Sequence, residues 1–189
     1  MEKRINYYTP ELTEYSIINF SIIGKALCVA TYFDKICKNF LLALVIKYPQ
    51  YFKEKFNEFN NINLNSDELY SQIMKIADKI NLDRCIKILS KINTENDKFI
   101  GFFGRFDKAR EARNFIAHDL CLGYPENINK ANFRAELARE IKENTSEIVN
   151  CLVLMEDLIL SFNKEGMLPG IDKSSLVENI VSWVLDDEI

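Results

Sequence analysis

The residues best equipped for chemistry lie in the run Arg110-Glu111-Ala112-Arg113-Asn114-Phe115-Ile116-Ala117-His118-Asp119, which holds the only histidine among the 189 residues. Arg113, Asn114 and His118 fall within six residues of one another. A guanidinium grips phosphate, an amide orients, and an imidazole moves a proton near neutral pH. That set suits cleavage of an RNA phosphodiester by its own 2′-hydroxyl. The reaction needs a base for the 2′ proton, positive charge on the crowded phosphorus, and an acid for the leaving 5′-oxygen. Each proton-transfer role is worth about 10²–10⁴ in rate. The fork of arginine matches two phosphate oxygens, and no metal is required. One histidine cannot act as base and acid in the same step. A two-fold homodimer that faces two such runs across a cleft would supply the second.

The run must be positioned by a helix. On a regular helix Arg110, Asn114 and His118, spaced four and four, share one face. Arg113 sits about 100° round from Asn114, and its long side chain can curl back, so Arg110 is read as an added substrate-binding cation. Ala112 and Ala117 leave room for an approaching backbone, while Phe115 and Ile116 point into the core. A blander account also exists: a lone histidine near a helix C-terminus is favourable with the dipole there, and its neighbours are then surface polar residues.

The spacing predicts further helices around this one. Thr9-Pro10-Glu11 reads as a helix start, with a hydroxyl cap, a first-turn proline and an acid at the positive dipole end. Ile23, Leu27, Ala30, Phe33 and Cys37 continue it at helical spacing, and Tyr48-Pro49 ends it. Gly24 would serve close helix packing or a break. A short helix follows over 49–59, with Tyr51, Phe52, Phe56 and Phe59 on its apolar side, then an asparagine-rich loop over 60–65. Asn65 or Ser66 caps a helix to about Ile80, and another runs over 82–92. Thr94 begins the motif helix, which stops before Gly123-Tyr124-Pro125. Asn129 caps a long helix to about Asn163, 166–170 is loop, and Ser174 or Ser175 caps a last helix ending at Asp186-Asp187-Glu188. No strand is expected. The fold class is all-α: an antiparallel helical bundle of four or five main helices with short additions, in one domain spanning 1–189, with 171–189 as an appended helix.

Composition narrows the function. A net charge of −4 and a pI near 5.2 exclude a protein that coats nucleic acid nonspecifically, so any RNA contact must be local. Lys98, Arg105, Lys108, Arg110 and Arg113 against Asp107 and Glu111 make the motif helix locally basic. Five cysteines (28, 37, 85, 121, 151) form no CxxC pair and read as buried free thiols of a reducing cytosol. With one histidine, and acids such as Glu111 and Asp119 scattered, no metal-ligand set is expected, and no cofactor is called for. Gly101-Phe102-Phe103-Gly104 lies inside a helix pattern and reads as close packing, not a phosphate loop. The N-terminal residues do not resemble a signal peptide. Lys25, Asp34, Lys35, Lys38 and Asn39 interrupt the apolar stretch over 17–46, which reads as a core helix and not a membrane span.

Arg113-Asn114-Phe115-Ile116-Ala117-His118 resembles the signature of the HEPN superfamily: an arginine, a polar residue, a few more residues, then a histidine. The resemblance covers about 94–163; the first 90 residues match only as helical. It implies a homodimeric, metal-independent ribonuclease of a toxin–antitoxin or phage-defence system, cytoplasmic, with RNA such as tRNA as substrate and an antitoxin or regulatory protein as partner. His118 would be the general acid/base, Arg113 the phosphate ligand and Asn114 the orienting amide. Arg110 and Asp119 have no clear family equivalent. Leu120 stands where some small HEPN toxins carry a modifiable tyrosine, and Tyr124 is misaligned with it, so that control is not expected. The alternative is a non-catalytic helical module that dimerises or binds a partner, with the aromatic 49–59 segment as a docking surface or, more simply, as core.

Overall fold

A computed structural model describes residues 13–92, 100–120, 131–163 and 173–185. Every regular element among them is helical: α1 (Glu14–Lys47), α2 (Pro49–Lys55), a 3-10 turn (Asn57–Phe59), α3 (Leu69–Ala77), α4 (Leu82–Ser90), α5 (Ile100–Asn114) with a π-helical turn (Phe115–Asp119), α6 (Ala131–Asn163) and α7 (Lys173–Leu185). The all-α class expected from the spacing is what the chain adopts. The expected caps at Thr9, Thr94 and Asn129, the Gly123–Pro125 stop, the 166–170 loop and the acidic end lie outside the described residues.

The axis of the molecule is α1. Thr13 starts it: its Oγ1 accepts from the Ser16 amide at 3.2 Å, and Ser16 Oγ accepts from the Thr13 amide at 2.9 Å. This is a capping box with serine in the place of the usual acid. Pro49 ends it at Tyr48 and opens α2 as its first residue, because proline suits a first helical turn and nothing deeper. Between these stops Ile22, Ala26, Ala30, Phe33, Cys37, Leu41 and Val45 are buried at intervals of three to four, a core stripe along the whole helix. By length and apolar composition α1 could cross a membrane; in this fold that stripe is covered by the chain's own helices. Gly24 neither breaks α1 nor packs closely: a Cβ there would meet nothing within 4 Å.

Against α1 pack α6, α4, α3, α7, α2 and the π turn, while α5 lies between α6 and α4. Leu137, Ile141, Ile148 and Met155 bring the buried side of α6 to this core. The last helix belongs to its own bundle: Val181, Val184 and Leu185 are buried. It runs back along α1, for Trp183 lies beside Lys25 while Leu176 and Ile180 share a groove with Tyr32 and Ile36.

The aromatic segment after Pro49 is core, not a docking surface. Phe52, Phe56 and Phe59 are buried, and Phe52 meets the Phe59 ring edge-on at 5.6 Å between centroids. Each such ring contributes about 1.5–3 kcal/mol on burial. The helix expected over 66–80 is shorter, with Ser66 Oγ accepting from the Glu68 amide just before it. Asn81 does not merely break the chain; it caps α4 by accepting from the Arg84 amide at 2.9 Å.

Candidate active site

The motif helix is regular through Asn114 and then widens. Leu120 N donates to Phe115 O at 2.8 Å, the i→i+5 bond of a π turn over Phe115–Asp119. Each residue there turns through less than the α-helical angle, so residues five apart draw toward one face. Arg113 and His118 are five apart. The turn puts Arg113 Nη1 at 3.4 Å from His118 Nε2, nearer in angle than the roughly 140° that separates residues five apart on a regular helix. Ile116, fully buried, anchors the turn, with Phe115 packed against the core. Ala112 is buried and Ala117 half-buried.

Arg113 is held by a residue that local spacing did not single out. Its Nε donates to Asp34 Oδ1 at 2.8 Å, and its Nη2 donates to Asp34 Oδ2. The pair is a bidentate fork between α5 and α1, each side chain 21% exposed, the strong geometry for guanidinium and carboxylate. Nη1 donates to Asn114 Oδ1 at 3.1 Å and faces His118. A guanidinium has five N–H donors; these contacts engage four and leave one open. A signal for Asp34 did exist. A carboxylate in the middle of an apolar helix must find a partner, because burying it unpaired is costly. The sequence could not name a partner 79 residues away.

The contact at His118 is made by Nε2, the ring nitrogen nearest the guanidinium. His118 is exposed. The arrangement is an exposed imidazole beside a fixed cation, with the Asn114 amide orienting that cation. It can accept a proton within reach of an anion held by Arg113.

Arg110 does not join the group. Its Nη1 donates to Asp83 on α4 at 3.0 Å, its Nε to Asp107 at 3.4 Å, and Nη2 lies 3.8 Å from Glu111. Lys87 and then Arg110 hold the Asp83 carboxyl below its ordinary range. The shared face expected for Arg110 and His118 assumed a regular helix; the π turn swings His118 toward Arg113, and three carboxylates claim Arg110. Its role here is to tie α5 to α4.

Below Asp34 lies a sulfur layer. Cys85 Sγ donates to the Cys37 carbonyl at 3.4 Å, and Cys37 Sγ lies 3.9 Å from Met155 Sδ. Burial pushes the Cys85 and Cys151 thiols up to about 12, and Cys37 is raised further by the same cause. These are packing groups, not nucleophiles. Cys28, expected to be buried, is exposed. Among the described residues no three His, Cys, Asp or Glu side chains gather as metal ligands. Gly104 leaves a Cβ in open space, so close packing is not its purpose.

No protein-family model, curated relative or solved structure matches the chain.

Proposed function

We propose that the protein is a metal-independent RNA endonuclease of the HEPN type, acting in toxin–antitoxin or phage defence and cutting by attack of the 2′-hydroxyl. The observation that carries this reading is the Arg113–His118 contact across the π turn, with Arg113 locked by Asp34. Arg113 offers its free N–H to the scissile phosphate, and His118 Nε2, turned from Arg113 to the 2′-hydroxyl when RNA binds, takes the 2′ proton. A second copy of the chain brings the second His118, which enters as the imidazolium and gives its proton to the 5′-oxygen, so the working form is a homodimer. Arg110 has no part in this scheme.

The test is purified protein with total RNA and a tRNA pool in EDTA, followed by analysis of the ends. The expected products carry 2′,3′-cyclic phosphate and 5′-hydroxyl ends. Dependence on added metal, or 3′-hydroxyl ends, would contradict the proposal.

One observation favours a second reading, a helical dimerisation module without catalysis. The outer face of α1 exposes Ile17, Phe20, Gly24, Cys28 and Thr31 in succession, with no charge among them. These positions mirror each other about Gly24, so two copies of α1 could pair antiparallel, Phe20 against Cys28 and Ile17 against Thr31. Asp34 is ten residues from Gly24, about 15 Å along the helix. Such a dimer holds the two candidate sites about 30 Å apart along the paired helices, too far to share a phosphate. Under that reading the RNA stays intact.

A further inference from the structure

Between α1 and α3 runs a groove of about 310 Å³, with Asp34, Leu42, Met74, Ala77 and Asp78 in its lining. It shares Asp34 with the candidate site, so the wall of one is the anchor of the other. Leu42, Met74 and Ala77 are half-buried and form an apolar floor. Lys35, Lys38, Thr31 and Asn39 supply a polar rim. Lys38 lies four residues, about 6 Å, beyond Asp34 on the same side of α1. Asp34 is neutralised by Arg113, whereas neither lysine has an ion-pair partner among the described residues. Two lysines against Asp78 leave the groove positive within a chain of net charge −4.

We propose that this groove is a nucleotide subsite: it holds the base and phosphate of a single-stranded RNA residue flanking the one cut beside Arg113 and His118. The inference rests on the nuclease reading for its neighbour, not for its own chemistry. An apolar floor takes the face of a base, and the lysines take the phosphate. The volume is at the lower end of ligand pockets, about 300–1,000 Å³, which suits one nucleotide and not a duplex. Met74 is an adaptable surface, so the floor should accept any base, with Asn39 free to donate to or accept from its edge. This gives an acidic protein the local cationic contact with RNA that its overall charge denies it.

The test uses a short fluorescein-labelled 2′-O-methyl oligoribonucleotide, which cannot be cleaved by 2′-hydroxyl attack, and the full chain. Binding is read by anisotropy across a salt series. Lys35→Gln with Lys38→Gln is expected to weaken binding at least tenfold. It should also lower the log–log salt slope by about 0.7, the value for one lost phosphate contact in a single strand. Met74→Glu should weaken it as well, and Met74→Leu should not. Binding by the lysine variant within twofold of wild type at an unchanged slope would overturn the inference, as would no binding by wild type. Thermal melts establish that each variant is folded. Cleavage separates this inference from the reading beneath it. If cleavage needs His118 but proceeds at the wild-type rate at subsaturating RNA without the lysines, the groove fails and the nuclease reading stands. If cleavage ignores His118 while binding needs the lysines, the groove stands and that reading fails.

Discussion

At the scale of the residue, the proposed chemistry turns on how Arg113 is held. A lone surface arginine swings freely, and holding it costs side-chain entropy in each encounter. The Asp34 fork meets that cost in the fold and aims Nη1 at His118. Asp34→Asn keeps the shape but removes the charge that fixes the guanidinium. Expected is a loss of about 1–3 kcal/mol in stability, the range for a charged hydrogen bond left unmade, and a fall in kcat larger than any change in KM. Urea titration and steady-state kinetics on an RNA substrate check this; unaltered stability and kcat would remove Asp34 from the account. Arg113, Asn114 and His118 were legible because they are close in sequence. Asp34 was not, because its partner lies on another helix and only the burial of a carboxylate hinted at a bond.

At the scale of the element, caps and stops were readable, and local winding was not. Pro49 at the α1–α2 junction follows from its ring and its missing N–H. The π turn over Phe115–Asp119 has no such signature, since nothing in Phe-Ile-Ala-His-Asp requires an i→i+5 bond. That turn decides which arginine meets His118, so a regular-helix reading put Arg110 on the histidine's face and left Arg113 to the side. The glycines misled in a similar way: a glycine inside a helix reads as close packing, yet Gly104 faces open space. It therefore only weakens α5. Gly104→Ala is expected to stabilise the protein by about 0.5–1 kcal/mol, read as a raised urea midpoint at unchanged slope. A lowered midpoint would mean that the exposed side of α5 is covered by something.

At the scale of the whole molecule, one helix organises both the candidate site and the packing. The inner stripe of α1 carries the core, Asp34 anchors Arg113, and Lys35 and Lys38 line the groove alongside. The all-helical class followed from few glycines and prolines and from three-to-four spacing, which local sequence reports directly. The pairing of helices did not: α7 lies back on α1 and buries Val181, Val184 and Leu185 against partners remote in the chain. Under the proposed function two Arg113–His118 faces meet at one phosphate, whereas pairing through the outer face of α1 would keep the two histidines apart. The decisive quantity is therefore the dependence of cleavage on His118. In EDTA, with total RNA as substrate, His118→Ala is expected to lower the initial rate by at least about 10², the lower end for losing a general acid–base group, while keeping the wild-type melting curve. Cleavage by His118→Ala at the wild-type rate would contradict the account.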